Sequence, residues 1–454
     1  MRTARKTAII ERMKCMNNKE TSQQLLDFIR KSPSCFHAIK NIGEKLKNAG
    51  FIELFEQDKW LVKPGMCGFV TRNSSSLIAF RIPEDWRGGF MITASHSDSP
   101  TFKIKHDPEL NGPDGYVRIN TERYGGMILD SWFDRPLSVA GRLIIRDESD
   151  GKIALKTKIV SVDRDILMIP HVAVHMLNPN NGITYNPAVD MVPLFGLEST
   201  KGGFMRTVAD AAGVEPEQII SHDLFLVNRQ QPTIWGANNE FISSPKLDDL
   251  QCAYASACAI AQANAEKAIQ ILYITDNEEV GSVTKQGAGS TFLHDTLTRL
   301  NFGLGRTDAD YLRSLAKSML LSADNAHAVH PNHPELADPT HRPKLNGGVV
   351  MKFNASQLYT TDAISAAIFS EICRIADVPL QKFCNRSDIR GGSTLGNISN
   401  TQVSLNAVDI GIAQLAMHSS YETAGALDTG YMIRAMQKYF ESSLELDGTT
   451  IRLA

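Results

Sequence analysis

Apolar residues along this chain fall into two patterns. Short unbroken apolar runs that end in polar residues predict buried strands, and apolar positions three and four apart predict helices. Residues 20 to 50 read as two helices broken at Ser32-Pro33-Ser34. Leu25, Leu26, Phe28 and Ile29 make one apolar face, and Ile39, Ile42, Leu46 and Ala49 make the next. Gly50 is a natural stop. Leu61 to Val70 and Ser76 to Ile82 predict strands, and Gly88 to Ala94 predicts a buried strand that runs into Ser95-His96-Ser97-Asp98. From about 102 to 235 the pattern becomes short β-like runs (Val117 to Asn120, Leu137 to Ile145, Lys152 to Val162, Val189 to Leu194) separated by Pro- and Asn-rich turns. Little helix is evident there before Glu215 to Ile220. From about 236 strands and helices alternate again. Leu250 to Ala268, rich in Ala and free of Gly and Pro, predicts a closely packed helix. Helices are also predicted over about 290 to 317, Thr361 to Ala376 and Ala424 to Phe440, with apolar runs at Ser318 to Ser322, Val349 to Met351 and Val408 to Ile412. The expected organisation is an α/β domain in two parts, 1–101 and 236–454, interrupted by a β-rich insert over 102–235.

Length and composition narrow the class. At 454 residues the chain is too long for one simple core. With 43% hydrophobic and 21% charged residues it reads as an ordinary globular protein. A net charge of -3 argues against nucleic acid or an acidic membrane as the main partner. No apolar run approaches the length of a membrane span. The 7 cysteines are scattered and form no CxxC pair, which fits a reducing cytoplasm rather than a disulfide framework. The start is basic (Arg2, Arg5, Lys6, Arg12, Lys14) but lacks the apolar core of a secretory signal. It is expected to be a disordered arm over about 1–18, or to precede a true start at Met13 or Met16.

The most informative stretch is Ile269 to Ser282, in which the apolar run Ile271-Leu272-Tyr273-Ile274 gives way to Asp276-Asn277-Glu278-Glu279. Acids where a strand runs out lie at the carboxyl edge of a sheet, where open α/β sheets place their sites. Taken alone, the segment reads more readily as a solvated acidic turn. If it is extended, Glu278 and Glu279 point to opposite sides and can serve different roles. Other apolar runs also end in metal-capable side chains: His96, Asp324 and His418, with Asp248 just ahead of a helix. Imidazole mixed with carboxylate suits zinc or manganese. Two histidines and three acids suit a pair of cations sharing one carboxylate.

Five ordered segments carry a resemblance. HSDSP at 96–100, SPKLDDL at 244–250, DNEEVGS at 276–282, SADNAHAVHPN at 322–332 and QLAMHS at 414–419 together resemble the M18 family of metallo-aminopeptidases, the aspartyl aminopeptidases. SPSCFHAI at 32–39, PHVAVHM at 170–176 and VVMKFNASQLY at 349–359 extend the likeness to most of the chain from about 20 to 440. The resemblance implies an αβα-sandwich metallopeptidase domain with an inserted β-rich dimerisation domain. It implies that His96, Asp248 and Asp324 hold one metal ion and that Asp248, Glu279 and His418 hold the other, with Asp248 bridging. Glu278 would be the general base, and Asp98 would accept a hydrogen bond from the ring of His96 and fix its tautomer. Lys352 would lie near the acidic side chain of the substrate, His327 and Tyr359 would contact substrate, and His175 would reach a neighbouring subunit's site, with His171 the alternative carrier of that role. The ions would be divalent, zinc first and manganese or cobalt next. The partners would be short peptides and further copies of the chain, assembled through the insert into a homododecamer. One departure from the family pattern is Asp249, where Asn is expected beside the bridging acid. Rival readings are a broad or neutral (Leu-type) aminopeptidase of the same family and an inactive cage or binding protein.

Overall fold

Four parallel strands form the centre of the molecule, in the order Ile269–Thr275, Phe90–His96, Met319–Ala323 and Asn406–Leu415. The structure, a computed structural model, describes residues 18–148, 151–176 and 184–454. The basic arm over about 1–18 thus lies almost wholly outside the described residues.

The four strands are nearly continuous apolar runs because both faces are covered, as parallel sheets require. Alternation splits each run. Leu272 and Ile274 enter one core with Met91, Leu321 and Ile410, under helices Leu247–Gln262, Ala363–Ile375 and Asp428–Phe440. Ile271 and Tyr273 enter the other with Phe90, Ile92 and Leu320, under helices Phe292–Gly303, Asp308–Ala316 and Leu395–Gln402. Two helices, at residues 18–30 and Cys35–Asn48, lie on the first side. The result is an αβα sandwich. Strands Cys67–Arg72 and Ser76–Arg81 extend the sheet on one flank, while Glu422–Gly425, Phe241–Ser244 and Thr233–Trp235 extend it on the other.

Helix Leu247–Gln262 is buried on nearly every side. Its alanines and cysteines allow close approach to helix Asp428–Phe440 and to the sheet, as its composition predicts. The final helix starts at Asp428 rather than Ala424, because Glu422–Gly425 is drawn into the sheet by pairing with Phe241–Ser244.

The insert is an antiparallel sheet in the order Ala154–Ser161, Leu137–Asp147, Ile219–Asn228, Thr101–Asn111, Tyr116–Tyr124 and Leu194–Leu197. Helix Phe204–Ala212 closes its core by burying Phe204, Val208 and Ala212 against Phe102, Leu143 and Leu224. Sequence patterning misses that helix, since the glycines on both flanks read as loop. It places helix at 215–220 instead, where there is a single turn, Pro216–Gln218, followed by a strand. The chain is already back in the large sheet at Thr233–Trp235, slightly ahead of the boundary at 235.

Candidate active site

The carboxyl ends of the four central strands converge on one cavity of about 170 Å³. His96 is the last residue of its strand, in register with Thr275 and 1% exposed. Beyond Thr275 the chain does not stay extended. Asn277 is left-handed (φ 63°), and Glu278–Val280 form one helical turn. The alternation expected of Glu278 and Glu279 is therefore replaced by the rotation of a tight helix, which still sends the two side chains apart.

Asp98 makes that turn possible. Its carboxylate accepts the backbone N–H groups of Glu278 and Glu279, each at 3.2 Å, and the hydroxyl of Tyr124 at 2.8 Å. The same carboxylate lies 3.3 Å from His96 Nδ1, and the Asp98 carbonyl lies 3.1 Å from it. Asp98 thus orients the imidazole and ties the acidic turn to it. Asp249 points inward: its carboxylate accepts the His96 backbone N–H at 3.1 Å, and it is fully buried.

Glu422 holds the other half. It accepts the backbone N–H of Asp248 at 3.0 Å and of His418 at 2.8 Å. His418 is left-handed (φ 66°), a conformation that costs about 1–3 kcal/mol and persists only where the surroundings impose it. The Glu422 bond and a bond from the Ile128 N–H to the His418 carbonyl impose it here. The result turns the imidazole back onto Asp248.

Asp248 sits between two donor sets. Its Oδ1 is 3.5 Å from His96 Nε2, and its Oδ2 is 3.5 Å from His418 Nε2. His418 Nε2 is also 3.5 Å from Glu279 Oε2. The ligand atoms of His96, Asp248 and Asp324 lie within 4.8 Å of one another, as do those of Asp248, Glu279 and His418. Buried oxygens of Asp248 and Glu279 have no hydrogen-bond partner in the chain, which is costly unless a cation takes them.

The electrostatics agree. Burial, only partly opposed by His96, raises Glu278 to about 8, with Asp324, Asp98 and Asp248 adding to the rise. Burial raises Asp324 to about 6, against Lys352 and His96, and burial and Asp248 push Glu279 well above its ordinary range. For Asp248 burial works the same way, but the neighbouring imidazoles of His418 and His96 more than offset it and hold it below the usual carboxylate range. Two imidazoles and the Lys352 ammonium, 3.8 Å from Asp324, are too little positive charge for the acids of this cluster. Divalent cations shared through Asp248 would balance it, so the donor set fits them.

Lys352, His327 and Tyr359 line the same cavity, with Glu278 at its wall. Lys352 is buried, 2% exposed. Its ammonium donates to the carbonyls of Asp324 (2.8 Å) and Asn325 (3.3 Å) and lies 5.1 Å from the Tyr359 ring centre. Burial alone would remove its charge, but Asp324 and Asp409 more than offset this and keep it cationic. His175 is not at this cavity; it is exposed on the insert. His171 packs on Phe133 with ring centres 4.6 Å apart.

Sequence reasoning misses Glu422, Tyr124 and Gly125. Glu422 stands four residues after His418, just ahead of the helix predicted from Ala424. Tyr124 belongs to the insert, yet its hydroxyl joins Asp98 to Asn277 Nδ2, the latter at 2.7 Å. Gly125 has φ 81°, and a Cβ there would lie 3.0 Å from the Glu279 Cβ. Only a residue without a side chain lets the insert press this closely on the acidic turn.

Comparisons with known proteins agree with this geometry. Residues 28–440 match the family model described as aminopeptidase I zinc metalloprotease (M18). A probable M18 family aminopeptidase 2 of Clostridium acetobutylicum is 45% identical, over 93% of this chain and 99% of its own length. Aspartyl aminopeptidase 1 of Schizosaccharomyces pombe is 34% identical, over 94% of this chain and 96% of its own. Among solved structures, the yeast mApe1 dodecamer superposes with a TM-score of 0.83 at 28% identity, over 94% of this chain and 97% of that one.

Proposed function

This chain belongs to the M18 family of metallo-aminopeptidases, and from that premise we propose that it removes N-terminal Asp or Glu residues from short peptides with two divalent cations and Glu278 as base. The observation that carries the reading is Asp248, whose two oxygens face two separate imidazoles in two overlapping donor triads. His96, Asp248 and Asp324 would hold one cation, and Asp248, Glu279 and His418 the other. Zinc is the first choice, with manganese or cobalt next, since all suit this mixture of nitrogen and oxygen donors. When bound, the cations supply positive charge that lowers the pKa of water and polarises the peptide carbonyl.

The chain's own groups do the rest. With its carboxylate form favoured by the nearby cation charge, Glu278 would take the proton of the attacking water and deliver it to the leaving amine nitrogen. Asp98 keeps Glu278 and Glu279 in place through their backbone N–H groups. His327 lines the cavity, and its imidazole would donate to the developing oxyanion. Lys352 supplies a fixed positive charge at the cavity wall for an acidic side chain, and Tyr359 shapes the wall beside it.

Two measurements test this reading. Metal analysis should find two divalent ions per chain, and chelation should abolish hydrolysis until zinc, manganese or cobalt is returned. A stripped sample with full activity would refute the two-cation mechanism. On anilide substrates, Asp and Glu should be preferred over Leu, and Lys352→Leu should lower the Asp-to-Leu ratio of kcat/KM by roughly tenfold, the loss of one charge-assisted contact. A wild-type preference for Leu, unmoved by the substitution, would assign the neutral type instead.

The yeast relative is a dodecamer, and we propose the same state for this chain, assembled through the insert, with His175 contributing to a neighbour's site. Exposed Val174 (68%) and Met176 (80%) beside it support a covered surface there. No helix among the described residues is long and apolar enough to cross a membrane. The described cysteines are free thiols, mostly buried, and we place the enzyme in the cytoplasm on that ground.

A further inference from the structure

A second cavity, of about 290 Å³, adjoins the catalytic one. The two share His327 and Phe383 and continue into each other through consecutive residues, Gly391 to Gly392 and Ala416 to Met417. They form one trough, with the cation-binding residues at one end. Its far part is built by the 328–343 segment, whose histidines (His330, His333, His341) are unused by the chemistry above.

The polar groups of that segment are engaged with one another. His333 lies 3.1 Å from Glu335, and His341 lies 2.9 Å from Asp338. Arg386 is bound by both oxygens of Asp388 and donates to the Glu335 carbonyl. His330 Nδ1 accepts the Asn332 N–H at 3.2 Å. Most of what stays open is apolar, although Asn385 Nδ2 on the same lining has no hydrogen-bond partner among the described residues. Leu336 is 55% and Ile389 42% exposed on the trough, with Val329, Pro343 and Leu415 behind them. Large apolar side chains held open in a concave site beside a reaction centre are the makings of a side-chain pocket.

We propose that this trough binds the residues that follow the scissile bond, and that it selects peptides with apolar side chains there. The proposal rests on the aminopeptidase reading. An aminopeptidase holds only one residue ahead of the bond it cuts, so the remainder of the peptide must leave the catalytic cavity along a neighbouring surface. The continuity through His327 and Phe383 supplies that surface.

The test uses the full-length oligomer and a panel headed by either Asp or Leu: the anilide, the head followed by Gly-Gly-amide, and the head followed by Leu-Leu-amide. The Asp-against-Leu comparison reads the head preference of the catalytic cavity. The Leu-Leu-against-Gly-Gly comparison, within whichever head is cut faster, reads the trough. The Leu-Leu tail should raise kcat/KM by about tenfold or more, the scale of apolar discrimination in enzyme pockets. The double variant Leu336→Ser, Ile389→Ser alters only exposed side chains. It should bring that tail ratio close to one and leave anilide hydrolysis nearly unchanged. Equal wild-type rates on the two tails would overturn the proposal, as would a variant that slows anilides as much as Leu-Leu peptides.

Discussion

Glu278→Gln is expected to lower kcat by about 10²–10⁴-fold while the metal content stays at the wild-type value. The amide keeps the size of the carboxylate and can still accept a hydrogen bond, but it cannot take up a proton. Glu278 lines the cavity and, although its carboxylate also lies within 4.8 Å of ligand atoms of His96 and Glu279, it is outside the two triads that meet at Asp248. Its N–H bond to Asp98 involves the backbone, so the substitution leaves the turn intact. Loss of turnover with full metal loading is therefore the signature of a missing base. Turnover that survived the change would place the base elsewhere.

Asp248→Asn should cost more than the base alone, because one side chain serves both halves of the centre. The amide offers a single oxygen where two are needed and turns an N–H₂ toward one of the imidazoles 3.5 Å away. Metal content should fall below the wild-type ratio, and activity should drop by well over the roughly 10–100-fold that losing a supporting hydrogen bond to a metal ligand brings. Removing Asp324 instead should weaken one ion and spare the other. Metal analysis on the two variants separates the shared ligand from the private one. An Asp248→Asn protein that kept its full metal complement would contradict the shared-ligand arrangement.

The parts of the site legible in sequence are those where backbone direction and side-chain chemistry coincide. His96, Asp324 and Glu279 each follow a buried apolar run, and a parallel sheet gathers such ends at one edge without further instruction. The supporting residues were hidden for a physical reason. Glu422 acts by receiving the N–H groups of Asp248 and His418, and a hydrogen bond between distant segments leaves no periodic trace. Tyr124 and Gly125 act across a domain boundary, in a stretch whose alternation reports only its own sheet. Asp249 shows the same limit. Beside a cation-binding acid it could tighten the ions or face solvent, and only the fold turns it to the His96 N–H. The missed helix Phe204–Ala212 and the shortened final helix have a tertiary cause: burial on the insert's sheet and strand pairing at Glu422–Gly425 outweigh local propensity.

The contact at Tyr124 and Gly125 also changes what the insert is. A strand that ends by anchoring Asp98 and pressing on Glu279 is a brace behind the acidic turn, whatever the rest of its domain does at the surface. A truncated enzyme made by splicing 101 to 236 would keep every proposed ligand and still lose the contacts that brace Asp98 and the acidic turn. The insert is therefore part of the catalytic body.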